Sequence, residues 1–333
     1  MGIQGIKGET NRIFLGKAVP LSTPLSVFLD ASSVCNFRCS FCPHGNGEAA
    51  RQMTQTVMSL QLAKKCIDDL AEFPNKIKKL SFSSQGEPLV NKNLAKIVEY
   101  AKKRDVAEVL AITTNGSLLT PEVSENLINA GLNHFDISIY GMNSEAYTEF
   151  TGSSTQFQTL IENISFLYKI KKDAHIAIKI CDAACKTESE KELFFELFTP
   201  LCDKICYEHA VSLWYDLDIS VADDSLDIYG NKVVEKEICP VPFFSMVIQA
   251  NGHVTPCCVD WRQNLVLGNA ANESLFSIWN GQKYKDLYTN LLMMGNNGVF
   301  PCKNCRYHEL VAIDNIDAFK TDILARVVNT NAV

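Results

Sequence analysis

Nowhere in these 333 residues is there an apolar run long enough to cross a bilayer, and the opening MGIQGIKGETNR lacks the apolar centre of a signal peptide. Membrane insertion and secretion are set aside on that ground. Ile6 stands where an N-myristoylation signal carries Ser or Thr, which disfavours a lipid anchor of that kind. Nor is there a block of basic residues. The net charge is −7, and the two KIKK clusters at 76–79 and 169–172 read as solvated edges of helices or strands. Nucleic acid and anionic membrane surfaces are therefore poor partners. Low-complexity linkers are missing, and only about 25 residues precede the first strand pattern, too few for a folded domain of their own. These absences predict a cytoplasmic chain of ordinary globular composition.

What the chain has in abundance is cysteine, thirteen in all. A reducing compartment makes that an odd way to build disulfides, so metal or cluster ligation is the better reading. The cysteines sort into groups. Cys35, Cys39 and Cys42 lie within SSVCNFRCSFCPHG at the spacing C-x3-C-x2-C. Three is an unsuitable number for disulfides, and a structural zinc site takes four ligands from paired knuckles. Three thiolates so close together can occupy three corners of a cubane iron–sulfur cluster and leave the fourth iron without a protein ligand, open to a small molecule. The second group is Cys239, Cys257, Cys258, Cys302 and Cys305. Cys66, Cys181, Cys185, Cys202 and Cys206 fall on apolar-patterned segments and read as small buried hydrophobes.

From residue 26 the pattern alternates strand and helix: LSVFLDA, a Ser59-capped helix, KKLSFSS, LAKIVEYAKKR, VLAITTNG, EVSENLINAG, HFDISIYG, a helix over 155–171, HIAIKIC and SEKELFFELFTPL. A sixth strand is expected near VSLWYDL or ISVADD. Parallel strands joined by crossover helices give an open doubly wound sheet or a barrel, with ligands at the carboxyl ends of the strands in both. The triple-cysteine loop follows the first strand and so belongs to that end. Near residue 235 the rhythm changes: CPVPFFSMVIQANGHVTPCCVDW reads as a hairpin turning at Asn251–Gly252, followed by a single helix SLFSIWNGQKYKDLYTNLLMM, the pair PCKNC and a helix-like tail. The expected division is an extension over 1–25, an α/β unit over 26–234, a small cysteine-bearing domain over 235–310 and a tail over 311–333.

C-x3-C-x2-C with Phe41 before its last cysteine resembles the signature of the radical S-adenosylmethionine (SAM) superfamily. That resemblance implies an α/β fold, a partial (βα)6 TIM-like barrel, in which a 4Fe–4S cluster on Cys35, Cys39 and Cys42 binds SAM and yields a 5′-deoxyadenosyl radical. SSQGEPLV resembles the family's Gly-Gly-Glu-Pro motif in Gly86, Glu87 and Pro88, with Gln85 departing from the first Gly; the match implies that this segment receives the SAM ammonium group. ITTNG resembles the segment lining the ribose and implies Thr114 and Asn115 as polar contacts. Ser138 in DISIYG would face SAM, Ile178 would pack on adenine, and Lys179 would meet a carboxylate. The spacing C-x12-G-x4-C from Cys239 through Gly252 to Cys257, with the later pair Cys302 and Cys305, resembles the auxiliary-cluster domain called SPASM in its full form and twitch in its truncated form. No cysteine follows Cys305, so the twitch form is implied: one closed 4Fe–4S cluster on Cys239, Cys257, Cys302 and Cys305, hence two clusters per chain, with Cys258 the spare thiol beside it.

The resemblance further implies a radical SAM oxidoreductase, reduced by a flavodoxin- or ferredoxin-type donor. Its substrate is expected to be a small molecule, because the short extension leaves no room for the leader-binding domain of many peptide-modifying relatives. Twitch-type dehydrogenases of sugars, nucleotide sugars or aminocyclitols are the nearest in pattern, the auxiliary cluster taking an electron as an alcohol becomes a ketone. Three alternatives stay open: a radical epimerase using a thiol such as Cys258 as hydrogen donor, a maturase of ribosomal peptides working with a partner protein, and a non-catalytic metal-binding protein. The polar residues Gln85, Tyr140 and Arg262 have no assignable place from sequence.

Overall fold

The computed structural model describes residues 12–217 and 223–329. Six parallel strands, β1 (Ser26–Leu29), β2 (Ile77–Ser81), β3 (Ala107–Thr114), β4 (His134–Ile139), β5 (His175–Cys181) and β6 (Lys204–Glu208), lie side by side in chain order. Right-handed crossovers that step always the same way put every connecting helix on one face of the sheet. A doubly wound sheet would need the order to reverse, and it does not. The crossover helices pack on one another in sequence, Leu60–Leu70 on Leu94–Arg104 and that helix on Pro121–Ala130. The result is a curled, unclosed parallel sheet, the partial barrel of the sequence reading. Curvature is visible in the side chains: Lys79 on β2 reaches over β3 to Asp136 on β4, Nζ to Oδ2 3.2 Å.

The helix boundaries follow local chemistry. Ser59 accepts a hydrogen bond from the Leu62 N–H at 3.1 Å and starts its helix where the sequence predicts. Thr187 and Glu190 form a reciprocal capping box at the head of Glu188–Phe198. The sixth strand differs from expectation. It is KICYE, directly after that helix, whereas Val211–Leu217 is irregular and residues 218–222, which hold most of ISVADD, lie outside the described residues. The reason is a five-residue link, a single turn Thr199–Leu201 and then Cys202 and Asp203: Asp203 accepts the Ile176 N–H at 2.8 Å, which pins the start of β6 beside β5.

The expected hairpin is present as β7 (Ser245–Ile248) and β8 (His253–Thr255), with Gly252 at φ +90°, where a glycine is favoured. It does not form a sheet of its own. β7 pairs parallel with β1 from Ser26↔Ser245 to Leu29↔Ile248, so the sheet runs on through β8 to a two-residue β9 (Gly268–Asn269), nine strands in all. The helix expected as one piece is two, Leu275–Trp279 and Gln282–Met294, broken at Gly281, where a Cβ would stand 2.8 Å from the Ser277 carbonyl. The terminal helix Lys320–Asn329 packs back on the second of these.

Trp279 anchors this part of the molecule. Its ring lies 4.8 Å from that of Tyr284, and its Nε1–H donates to the Leu21 carbonyl at 2.8 Å. Replacing a buried Trp by Ala costs about 3–5 kcal/mol. Trp279→Ala should lower the urea midpoint accordingly; a loss below about 1 kcal/mol would show that this contact does not hold the helices to the barrel.

Candidate active site

The first cysteine loop leaves the end of β1. The Cys42 N–H donates to the Cys39 carbonyl at 3.0 Å and the Gly45 N–H to the Cys42 carbonyl at 2.9 Å, winding the loop on itself. A Cβ on Gly45 would stand 2.0 Å from the Cys39 carbonyl, so only glycine fits. Burial pushes the Cys35 thiol up to about 11 and the Cys42 thiol to about 12, and it raises Cys39 further, with the charges of Cys42 and Cys35 adding to the effect. Three desolvated thiols that would repel one another as anions keep their protons unless a strong cation lies among them. That is the donor chemistry of an iron–sulfur cluster. Among the described residues no three His, Cys, Asp or Glu side chains are grouped to hold a single metal ion. Thiolates around a cubane each take a different iron, so they need not converge on one point.

The loop is tied to the neighbouring strand ends. A Cβ on Gly86 would stand 2.5 Å from the carbonyls of both Ser32 and Val34, so the glycine admits the cysteine loop's backbone. The Glu87 N–H donates to the Val34 carbonyl at 3.0 Å. The Glu87 carboxylate, only 3 % exposed, accepts from Thr114 Oγ1 at 2.7 Å, the Asn115 N–H at 2.8 Å and the Leu89 N–H at 3.1 Å. It thus fastens the end of β2 to the end of β3. Pro88 opens the short turn Pro88–Val90 that follows. Asn115 in turn donates from Nδ2 to Asn36 Oδ1 at 2.9 Å, within the cysteine loop. The sequence motifs on three strand ends are therefore one hydrogen-bonded assembly.

The second cysteine group also comes together. Cys239, Cys257, Cys302 and Cys305, from three separate segments, line a cavity of about 460 Å3 with Tyr215, Asp260 and Tyr307. Burial raises Cys239 well above the usual thiol range, Cys302 to about 12 and Cys305 to about 11; Cys257 is raised by its hydrogen bond with the Cys258 thiol and by burial. The Asp260 carboxylate accepts from Tyr215 O–H at 2.7 Å, the Asn264 N–H at 3.0 Å and the Leu265 N–H at 2.9 Å. Arg262 lies in this region, its guanidinium 4.4 Å from the centre of the Trp261 ring and 3.2 Å from Asp216.

A cavity of about 670 Å3 opens at the ends of β4, β5 and β6, bordered by Phe41, Ser138, Tyr140, Lys179, Cys181 and Glu208. The Phe41 ring is 6.1 Å from that of Tyr140. Lys179 Nζ is held by Glu208 Oε2 at 2.9 Å, so it faces a carboxylate of this chain. Ile178 is on the other side of β5, fully buried in the apolar core, and lines neither cavity, which removes the structural basis for packing it on adenine. Cys258 lines neither cavity, whereas Cys181 lines the larger one. Sequence reading missed Asp30, His44, Glu208 and Asp260. Glu208 went with the misplaced sixth strand. Asp30 and His44 had one available signal, a charged and an aromatic polar residue flanking the cysteine loop.

Burial pushes the Glu87 carboxyl up to about 7 against the hydrogen bonds that lower it. In the metal-free chain a carboxyl so raised contributes stability that is complete below its unfolded value, about 4.3, and is lost as pH rises through about 7. Glu87→Gln, neutral throughout, should cost about 1–3 kcal/mol at low pH by leaving a buried N–H without its acceptor. The gap in urea stability between wild type and variant should narrow from about pH 5 to about pH 8. A gap constant with pH would show that this carboxyl does not titrate in the range.

The family model of the radical SAM superfamily matches residues 31–180, and that of the SPASM iron–sulfur cluster-binding domain matches residues 239–306. An AdoMet-dependent heme synthase of Methanosarcina barkeri is 31% identical over 148 residues, 44% of this chain and 40% of that protein, so the match spans about two fifths of its length. An S-adenosyl-L-methionine-dependent 2-deoxy-scyllo-inosamine dehydrogenase of Niallia circulans is 24% identical over 280 residues, 83% of this chain and 90% of that protein. Among solved structures, BtrN in complex with AdoMet and 2-DOIA is similar with a TM-score of 0.53 at 20% identity, covering 89% of this chain and 94% of the other. With the partial barrel and the two cysteine groups in place, these matches identify a radical SAM superfamily domain over residues 31–180 and a SPASM iron–sulfur cluster-binding domain over residues 239–306, which implies SAM and a 4Fe–4S cluster as cofactors.

Proposed function

We propose that this chain holds two 4Fe–4S clusters and dehydrogenates an alcohol carbon of a small polyhydroxylated substrate, a sugar, nucleotide sugar or aminocyclitol, to a ketone. The observation that carries the reading is the cavity lined by Cys239, Cys257, Cys302 and Cys305: four thiols can close a cubane completely, leaving no iron for substrate and suiting that site to accept an electron. Cys35, Cys39 and Cys42 supply only three ligands and leave one iron for SAM. The covering match to the inosamine dehydrogenase supports an aminocyclitol-like substrate. When bound, SAM on the first cluster supplies the radical that removes a hydrogen atom, and the second cluster supplies an acceptor for one electron.

The chain's own residues place and shield the reactants. Gly86, Glu87 and Pro88, with Thr114, Asn115 and Ser138, form the strand-end wall against which SAM would rest, and Phe41 closes the side toward the larger cavity. That cavity would hold the substrate, with Ser138, Tyr140 and the Lys179–Glu208 pair as its polar groups. Oxidation of CH–OH to C=O removes one hydrogen atom, one proton and one electron, so one SAM is consumed per ketone. None of the thirteen cysteines is joined in a disulfide, which suits a reducing cytoplasm, where a flavodoxin- or ferredoxin-type donor would supply electrons. No helix among the described residues is long and apolar enough to cross a membrane.

A redox-neutral reading has one observation of its own: the Cys181 thiol borders the larger cavity, where Cys258 does not, and it could return a hydrogen atom to the substrate. Two measurements decide. Replacing Cys35, Cys39 and Cys42 together by Ala should remove about half the iron and abolish 5′-deoxyadenosine formation, while Cys302→Ala should permit SAM cleavage without ketone. Persistent 5′-deoxyadenosine in the triple variant would refute the site. Polyols and nucleotide sugars assayed in deuterated buffer should yield ketone; an unoxidised product carrying solvent deuterium would replace dehydrogenation by epimerisation.

A further inference from the structure

Gln85 bonds to both cysteine regions at once. It occupies the position of the motif's first Gly and is 6 % exposed. Its N–H donates to Asp30 Oδ1 at 3.1 Å, and its carbonyl accepts from His44 Nε2 at 3.0 Å, two residues beyond Cys42. Its side-chain Nε2 donates to the Cys258 carbonyl at 2.6 Å, beside Cys257. A glycine could make the first two bonds but never the third. The side-chain oxygen is buried without a partner. It is an acceptor left for a donor on a bound molecule, and the ammonium of SAM seated over Gly86–Glu87 is such a donor.

We propose that Gln85 is a positioning residue that couples the two sites, so that SAM bound at the first changes the electrostatic surroundings of the cluster held by Cys257. This rests on the reading that both cysteine groups hold clusters. The main chain around Gln85 has little freedom: Gly86 is pressed on the backbone of Ser32–Val34, and the Glu87 N–H is bonded to Val34. A ligand that pulls on the Gln85 amide therefore moves its side chain and not the loop. The far end of that side chain orients the Cys258 peptide dipole, and cluster potentials respond to the dipoles and hydrogen bonds around their thiolates.

The test is a redox titration of the anaerobically reconstituted protein followed by electron paramagnetic resonance, with and without saturating SAM. The auxiliary signal is identified as the one that survives in the chain whose Cys35, Cys39 and Cys42 are Ala. In wild type, SAM should shift the auxiliary midpoint potential. In Gln85→Met, which keeps the length but cannot donate to the Cys258 carbonyl, and in Gln85→Ala, the shift should vanish while iron content stays at two clusters and SAM still binds, within about tenfold of wild type. A wild-type auxiliary signal indifferent to SAM, or the same shift in both variants, would overturn the coupling alone. Fewer than two clusters per wild-type chain would overturn the reading of the sites and the coupling with it.

Discussion

Two carbonyl oxygens, of Ser32 and Val34, stand 2.5 Å from where a Cβ on residue 86 would lie. That contact is the constraint on which the site depends. With glycine there, the end of β2 lies directly on the backbone that leads into the first cysteines. Glu87 then comes within reach of β3 and Gln85 within reach of Cys258. A side chain would force the segments apart, and each of those bonds would lengthen together. The motif's glycine works here through backbone against backbone, before any ligand arrives.

The electrostatics of the site suit it to receive positive charge. Asp30 and Glu87 are carboxylates buried at strand ends, with burial pushing them to about 6 and about 7, and the buried thiols of both groups are raised as well. Lysines are spent elsewhere, Lys79 on Asp136 and Lys179 on Glu208 inside the barrel. Groups that resist ionisation in the metal-free protein would ionise once iron and the ammonium and sulfonium of SAM enter. Ligand binding and folding stability are coupled through these charges.

The parts of the molecule legible in the sequence are those fixed by short-range chemistry. Tight cysteine spacing, strand-end glycines, the capped helices and the Asn251–Gly252 turn all encode their structure within a few residues. What escaped is set by distant partners. KICYE is a five-residue edge strand with Lys204 and Glu208 at its ends, so it carries no run of apolar residues to announce it. The helix break at Gly281 is the exception, a local contact with the Ser277 carbonyl, unannounced because an isolated glycine in a helical pattern is often tolerated. Lys179 looked like a ligand contact because its partner, Glu208, belonged to the unseen strand. Ile178 fell on the wrong side of β5 because alternation alone does not say which face looks inward.

The parallel pairing of β7 with β1 was equally invisible, since hairpin residues pattern the same way on any sheet. Its consequence is mechanical. Cys239 precedes and Cys257 follows a hairpin hydrogen-bonded to the strand that launches the first group, so the two groups are joined by sheet as well as by the Gln85 amide. Electron transfer between a substrate and an acceptor falls steeply with distance, and a hinge between independent domains would let that distance wander. Continuing one sheet through both cysteine regions removes the hinge. Small changes in bonding at Gln85 then act on dipoles rather than on separation, so the auxiliary site can be tuned without being moved.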